Sequence, residues 1–343
     1  MPDASEQGGT AAPHGLATAR TREGHDLPVI DVTDPHFAVQ EDDGAVRALY
    51  DAFVDGERRR RRIPKFIMRA MLRRAAKQSR MVHALFASDA AYVDGMTTYV
   101  MKLGVDNLVP PYDTPMDRRL ATSPHVTLLR LRTQQVARLL ADGLVAHLAK
   151  AGGAPLHLIN IGGGPALDSL NALVLLRRDR ADLLARRIVI HVLDSGTDGP
   201  FFGANALAAL RVDGRPLHGL DAAWEHRDYD WNAPAPLAHL VRDLAGAGGV
   251  IAASSEGALF EYGSDDAIVG NLAALRAAGA GAKLVAGSVT RDDETRRQMI
   301  AETRFKLIPR GLAGFAPLAA RAGFAIAQAA PAGLSDQVLL RPC

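Results

Sequence analysis

The feature that most constrains the fold is a series of short apolar segments that starts near residue 152. Segments rich in β-branched residues cover 156–161, 187–194, 249–254, 283–289, 324–330 and 337–342, and a weaker one covers 222–229. Ala- and Leu-rich stretches of helical character separate them. Strands that alternate with helices predict an α/β domain with a mostly parallel sheet covered on both faces. We place this domain at residues 151–343.

The first 150 residues have a different texture. Residues 1–42 are rich in Ala, Gly, Thr and Pro without a sustained period, which predicts a mobile tail. Residues 43–150 show apolar residues at helical spacing, with a proline-rich loop between Asp106 and Pro124. We therefore expect an N-terminal helical region that precedes the sheet.

Composition excludes several classes of protein. Hydrophobic residues make up 48% of 343 residues and the net charge is +2, which excludes wholesale disorder. The one cysteine, Cys343, excludes an intrachain disulfide framework and a cysteine-cluster zinc site, so no metal is expected. No signal peptide and no run of about 18 apolar residues is present, so we expect a cytoplasmic protein without a membrane segment.

The near-neutral total hides a basic segment. Eleven Lys and Arg residues and no acidic residue lie between Arg58 and Arg80, which is compatible with a nucleic acid, an acidic membrane surface or an acidic partner. Apolar residues at helical spacing, such as Phe66 and Met71, predict a surface helix with an apolar face opposite the arginines. Aromatic residues do not alternate with the basic ones, so we favour a lid face or a homodimer contact over nucleic-acid binding.

A glycine turn follows the first strand of the sheet domain and precedes a helix. It reads Asn160-Ile161-Gly162-Gly163-Gly164. A phosphate-binding P-loop requires Gly-Lys-Ser/Thr, and this turn has no lysine. The dinucleotide fingerprint requires glycine at its first, third and sixth places, and Leu167 occupies the sixth. The turn therefore disfavours an NAD-dependent oxidoreductase.

Residues 151–343 resemble the class I S-adenosylmethionine-dependent methyltransferases, a seven-stranded Rossmann-like family. The resemblance rests on the glycine turn, on Asp194 at the end of the second strand, on HRDYDW after the third, and on Ser254-Ser255-Glu256-Gly257 after the fourth. It implies a cofactor site made by these residues: Asn160, Gly162, Gly163, Gly164, Asp194, Asp228, Tyr229 and Ser254, with Tyr99 from the helical region.

The same resemblance implies a transferase that methylates a small-molecule acceptor under a helical lid. The candidate catalytic residues are Glu256, Tyr262 and Ser255, which lie at or after the end of the fourth strand. Glu256 is either a general base or a carboxylate in the first turn of a helix. His125, in the loop before the last helix of the lid, is a further possible base.

Several alternatives stay open. The neutral Asn160 would not hold the cofactor ammonium charged, which is compatible with use of the aminocarboxypropyl arm, either by transfer or by cyclisation to azetidine-2-carboxylate with release of methylthioadenosine. Val109-Pro110-Pro111-Tyr112 resembles a degraded copy of the tetrapeptide of nucleic-acid amino-methyltransferases, but it lacks the polar first residue, so RNA methylation is less favoured. From another class, the chain could bind the cofactor without turnover, as a sensor or scaffold.

Overall fold

The computed structural model describes residues 13–87, 93–276, 281–303 and 305–343. Within these ranges the main sheet has seven strands in the order β5-β4-β3-β6-β7-β9-β8. Neighbours from β5 to β7 are parallel, and β9 runs antiparallel to both β7 and β8. The strands are β3 Leu156–Ile161, β4 Ile188–Leu193, β5 Ala222–Arg227, β6 Val250–Ser255, β7 Leu284–Thr290, β8 Phe324–Pro331 and β9 Ser335–Pro342. This confirms the mostly parallel seven-stranded Rossmann-like sheet, including its C-terminal hairpin.

Helices cover both faces of the sheet because its strands are apolar on both sides. In β3, Leu156 and Leu158 pack into one hydrophobic cluster, while Ile159 and Ile161 pack into the other. The helices that follow β3 in the chain are α7 Leu167–Asp179, α8 Asp198–Leu210, α9 Ala235–Gly246, α10 Leu259–Tyr262, α11 Asp265–Arg276, α12 Glu294–Ala301 and α13 Gly311–Arg321.

The strand order creates a crevice at the carboxyl edge of the sheet. From β3 the chain moves outward through β4 to β5, and then returns to the other side of β3 with β6. Loops that follow β3 and β6 therefore diverge, and open α/β sheets bind ligands at such a switch point. This topology favours a ligand site in the crevice between the loops that follow β3 and β6.

The N-terminal helices pack onto this sheet domain. They are α1 Asp43–Arg61, α2 Lys65–Ala76, α3 Arg80–Ala87, α4 Gly95–Lys102, α5 Pro115–Ala121 and α6 Pro124–Lys150. The long helix α6 lies close to the sheet at Gly143, where a Cβ would approach Leu284 Cδ2 to 2.9 Å. A glycine at this position thus lets α6 form part of one covering layer.

The predicted mobile tail is wrong for residues 13–42. Strands β1 Thr18–Arg20 and β2 Asp26–Pro28 form a hairpin, and the segment after it enters the core, where Leu27 and Phe37 are buried. Asn171 of α7 secures the segment because its side chain accepts a bond from the Val32 amide (2.8 Å) and donates one to the Ile30 carbonyl (3.1 Å). Residues 1–12 lie outside the described part of the chain.

The basic segment forms the end of α1 and all of α2 rather than one helix, with a break at residues 62–64. Large apolar residues of this segment are exposed, since Phe66 is 73% exposed and Met71 is 50% exposed. Among the described residues, no helix is long and apolar enough to cross a membrane.

Candidate functional site

The glycine turn after β3 can be built only with glycine. Gly162 and Gly164 have positive φ angles of 68° and 55°, a region that side chains disfavour. A Cβ on Gly162 would lie 2.8 Å from the ring of Trp231, and one on Gly164 would lie 3.1 Å from the Cα of Gly95. The turn is therefore enclosed by the loop after β5 on one side and by the start of α4 on the other.

This turn forms the floor of a cleft of about 610 Å³. The walls come from the loops after β4, β5 and β6 and from one face of α4. Small-molecule sites generally span about 300–1,000 Å³. The three turn glycines predicted from the sequence, Gly162, Gly163 and Gly164, all line it.

Asp194 lines the cleft at the end of β4, as predicted. Its Oδ2 accepts a hydrogen bond from the Gly164 amide (2.8 Å), and its Oδ1 accepts one from the Gly196 amide (2.7 Å). An ionised carboxylate has about four acceptor sites, so two stay available to a pair of hydroxyl groups. The carboxylate thus holds the turn in place and faces the cleft at the same time.

The loop after β5 supplies an aromatic wall, but not with the full predicted set. Tyr229 lines the cleft and donates its hydroxyl to Asn271 Oδ1 (2.5 Å). Burial raises the pKa of Tyr229. Trp231 lies against Gly162 and also lines the cleft, together with Asp230. The structure does not bring Asp228 to this wall, because its side chain is exposed and lies outside the cleft lining.

A buried cluster of charges closes the end of the cleft nearest β6. Lys102 Nζ donates to Glu256 Oε2 (2.5 Å), and Arg132 Nε donates to the other oxygen of the same carboxylate. Arg132 also donates to both oxygens of Glu261 at 3.2 Å. All four residues are less than 9% exposed. Three of them, Lys102, Arg132 and Glu256, line the cleft.

This environment argues against Glu256 as a general base. Burial alone would raise the pKa of its carboxyl group, but Arg132 and Lys102 outweigh burial and lower the pKa to about 2. A carboxylate with so low a pKa is a weak proton acceptor at neutral pH. Glu256 also precedes α10, which begins at Leu259, so it is not in the first turn of a helix. Its geometry suits holding cations.

His125 is equally unsuited to proton abstraction. Burial, followed by the charges of Arg296 and Arg132, lowers the pKa of its imidazole to about 3. His125 also lies outside the lining of the cleft. It lies in the first turn of α6 rather than in a loop before that helix, and its sequence position gave no sign of these two arginines.

Two residues predicted to touch the cofactor lie behind the turn instead. Asn160 is fully buried, accepts a hydrogen bond from the Gly163 amide (3.0 Å) and donates to Asp168 Oδ1 (2.7 Å). Ser254 is 1% exposed and accepts a bond from Asn160 at 3.3 Å. Neither residue lines the cleft. Asn160 and Ser254 thus shape the turn from below, which corrects both predictions.

The candidate Ser255 is structural. Its hydroxyl donates to the Ile161 carbonyl (2.9 Å) and accepts a bond from the Leu259 amide (2.9 Å). It is 1% exposed and does not line the cleft, so the catalytic prediction for Ser255 is wrong. Tyr262 does line the cleft, and burial followed by Glu261 raises the pKa of its hydroxyl. The hydroxyl of Tyr262 therefore stays protonated at neutral pH.

Tyr99 lines the cleft with its ring, while its hydroxyl is used elsewhere. It donates to the Pro28 carbonyl (2.5 Å) and accepts a bond from the Ile30 amide (3.1 Å). The ring packs against Phe202 at 4.5 Å between centroids. Tyr99 thus ties α4 to the N-terminal segment and to α8. A Cβ on Gly95 would come within 3.2 Å of the Gly164 Cα, so α4 begins directly on the turn.

The residues missed by sequence reasoning are Lys102, Arg132, Asp230 and Gly95, all in the cleft lining. Arg132 gave no local signal, since it begins a polar stretch of α6, residues 132–135, between Leu131 and Val136. Within the described ranges, no group of three or more His, Cys, Asp or Glu side chains could hold a metal ion.

Comparison with known proteins gives a limited result. No protein-family model matches this chain, and no curated protein matches it. Solved structures are similar to it at low identity. One is a complex of LepI with S-adenosylmethionine, at 14% identity over 60% of this chain and 46% of that chain, with a TM-score of 0.38.

A second is NcsB1, an O-methyltransferase from neocarzinostatin biosynthesis, in complex with S-adenosylmethionine and 2-hydroxy-5-methyl naphthoic acid. It is 21% identical over 68% of this chain and 62% of that chain, with a TM-score of 0.34. A possible exported protein from Bordetella parapertussis is 14% identical over 87% and 97% of the two chains, with a TM-score of 0.49. This chain thus spans about half the length of LepI and about three fifths of NcsB1.

Proposed function

We propose that this chain is an S-adenosylmethionine-dependent transferase that methylates a small-molecule acceptor. The observation that carries the proposal is the set of groups that line one cleft. They are the ring of Trp231 from the loop after β5, the carboxylate of Asp194 after β4, the glycine turn after β3, and the buried charges around Glu256 after β6. These groups suit a purine, a ribose and an amino acid.

The chemistry of the donors fits each part of this cofactor. The face of Trp231 can stack on a base, and Asp194 retains acceptor sites for the two ribose hydroxyls. Lys102 and Arg132 offer cationic donors to a carboxylate, while Glu256 offers an acceptor to an ammonium group. A zwitterionic amino acid therefore meets opposite charges of both signs at one end of the cleft.

When bound, S-adenosylmethionine supplies an electrophilic methyl group on a sulfonium. The chain contributes binding, orientation and exclusion of water. The start of α4 lies on the glycine turn, so it covers the cleft where Gly95 meets Gly164. Tyr262 and Arg132 line the cleft as well. Holding two reactants in such a cleft lowers the entropic part of the barrier.

The argument for use of the aminocarboxypropyl arm does not hold in the structure. That reading relied on Asn160 as a neutral neighbour of the cofactor ammonium, but Asn160 lies below the turn and bonds to Gly163 and Asp168. The cleft instead offers the ionised Glu256 at the corresponding end, which favours a charged ammonium. A charged ammonium cannot attack as a nucleophile, so the arrangement favours methyl transfer.

Isothermal titration calorimetry with S-adenosylhomocysteine tests the cofactor site. Asp194→Asn should weaken binding about 5- to 150-fold, as expected for loss of about 1–3 kcal/mol. Trp231→Ala should weaken binding by a similar factor. Asp228→Asn is the matched control, because this exposed neighbour lies outside the cleft and should leave the affinity unchanged. Equal affinities for all variants, or no binding by the wild type, would refute the site.

Mass spectrometry of the products tests the reaction. Incubation with S-adenosylmethionine alone should give no turnover, and S-adenosylhomocysteine should accumulate once an acceptor is supplied. Methylthioadenosine with a small cyclic amino acid, formed without any acceptor, would select the aminocarboxypropyl reaction instead. Binding of a nicotinamide cofactor in place of S-adenosylmethionine would refute both readings.

A further inference from the structure

The outer side of α2 carries a patch of exposed apolar side chains. In the described part of the chain five large apolar residues are exposed, and three of them lie in this one helix: Phe66, Ile67 and Met71. Ile67 and Met71 are one turn apart, and Phe66 directly precedes Ile67. Grouped apolar residues at a surface indicate an interaction site, whereas single ones are ordinary.

The other side of α2 already has a neighbour. The helix packs against α3, and its covered side carries Met68, Leu72 and Ala75, which are half-buried or buried and recur at helical spacing. The apolar patch of Phe66, Ile67 and Met71 is therefore not needed to hold α2 on the protein. No residue of α2 lines the cleft, so the lid role favoured from the sequence finds no support in this helix.

Cations without a counter-charge surround this patch. Of the eleven basic residues between Arg58 and Arg80, four pair with carboxylates. Within the described ranges the other seven form no ion pair and are exposed; they are Arg59, Arg62, Lys65, Arg69, Arg73, Arg74 and Lys77. Eleven cations here in a total of +2 leave −9 for the rest of the chain. An anionic surface would therefore attract this face of the protein rather than another.

We propose that this face of α2 docks on the surface of an anionic lipid bilayer. Phe66, Ile67 and Met71 would enter the interfacial layer, and the unpaired cations would meet the lipid headgroups. A cluster of about 4–8 Lys and Arg residues on an amphipathic helix is typical of such binding. Long basic side chains can keep their charges among the headgroups while their apolar stems follow the helix inward. The inference is independent of the proposed transferase activity.

The same observations disfavour two other occupants. A second copy of the chain, related by a two-fold axis, would set this basic face against itself, and like charges repel across an interface. A single-stranded nucleic acid binds on aromatic platforms, and Phe66 is the one aromatic residue between Arg58 and Arg80. A bilayer with anionic headgroups matches both the apolar patch and the cations.

Co-sedimentation of the full chain with lipid vesicles tests the proposal. The wild type should bind vesicles of mixed phosphatidylcholine and phosphatidylserine at low salt, and it should not bind phosphatidylcholine alone. Arg69→Gln with Arg73→Gln should weaken binding about 30-fold, because each cation near such a surface contributes about 1 kcal/mol. Phe66→Ser with Met71→Ser should weaken binding about tenfold or more, because apolar contact with the interface is lost.

Two double variants outside the patch are the matched controls. Phe201→Ser with Val212→Ser removes the other two exposed large apolar side chains of the described residues. Arg119→Gln with Arg242→Gln removes two exposed arginines that form no ion pair within the described ranges. Both controls should bind vesicles as the wild type does. Thermal melts followed by circular dichroism should show all four double variants folded, since surface substitutions change stability little.

Several results would overturn the proposal. They are no binding of the wild type to the mixed vesicles, binding by either patch variant equal to that of the wild type, or an equal loss in the controls. Tighter binding to single-stranded RNA than to the mixed vesicles at the same salt would assign the face to nucleic acid instead. A dimer in analytical ultracentrifugation that Phe66→Ser with Met71→Ser dissociates would assign it to a second copy of the chain.

Discussion

Replacement of Glu256 by Gln should destabilise the protein in a way that depends on pH. The substitution preserves shape but removes the charge that pairs with Lys102 and Arg132. The pKa of the carboxyl falls from 4.5 to about 2 on folding. That shift of about 2.5 units corresponds to about 3 kcal/mol at neutral pH. The figure agrees with the roughly 3–5 kcal/mol lost when one partner of a buried ion pair is removed.

The sign of the pH dependence follows from the depressed pKa. The stability contributed by Glu256 is fully present above its unfolded value of 4.5 and is lost as the pH falls through about 2. Below that pH the wild-type carboxyl is protonated and resembles the amide of Glu256→Gln. The difference between the two proteins should therefore shrink from about 3 kcal/mol at pH 7 to about 2 kcal/mol at pH 3.5.

Urea denaturation at pH 7 and pH 3.5, followed by circular dichroism, measures this difference. The control is Asp221→Asn, which removes the exposed partner of Arg187 and should change the free energy of unfolding by less than about 1 kcal/mol. A Glu256→Gln protein whose free energy of unfolding at pH 7 is within roughly 0.5 kcal/mol of the wild-type value, the usual spread of surface substitutions, would refute the reasoning. So would a difference that does not change between the two pH values.

Two further variants test how the cleft is enclosed. Tyr99→Phe removes the hydroxyl that bonds to Pro28 and Ile30. The variant should lower the free energy of unfolding by about 1–3 kcal/mol and expose the N-terminal segment to limited proteolysis. An unchanged cleavage pattern would contradict this. Gly164→Ala places a Cβ at a positive φ angle and 3.1 Å from the Cα of Gly95. It should therefore destabilise the protein by about 1–3 kcal/mol and weaken S-adenosylhomocysteine binding in calorimetry. The control is Gly153→Ala, whose Cβ meets no atom within 4 Å and which should have neither effect.

The sheet could be predicted from the sequence because its strands carry a local signal. Each run of β-branched residues is bounded by turns or by helical stretches, and a parallel sheet buries both faces of every strand. The N-terminal segment defeated the same reasoning. Its apolar residues Leu27, Val29 and Ile30 are few and have no period, and they are buried because Asn171 and Tyr99 bind the backbone around them. Those partners are more than 60 residues distant in sequence.

The basic segment shows what helical periodicity leaves open. Helical spacing of Phe66 and Met71 correctly indicated a helix, but spacing alone does not say whether a neighbour covers the apolar face. In the structure that face is exposed. Periodicity therefore predicts the conformation of a segment better than it predicts its burial.

The site residues that could be predicted are those with a local sequence signal, and the others depend on residues distant in sequence. Gly162, Gly164 and Asp194 could be assigned because a turn that needs glycine and a carboxylate that ends a strand are local features. The same logic misplaced Asn160, whose side chain turns back to bond with Gly163 within its own loop. A residue type compatible with ligand contact is equally compatible with bracing the loop that makes the contact.

The charged end of the cleft has no local signature at all. Lys102 lies 154 residues before Glu256, and Arg132 lies 124 residues before it. Each alone reads as an ordinary charged residue, and only the packing of α4 and α6 against the loop after β6 makes them a buried cluster. Burial then changes their chemistry: it turns Glu256 from a candidate base into a fixed anion with a pKa of about 2, and it makes the cost of any unpaired neighbour large.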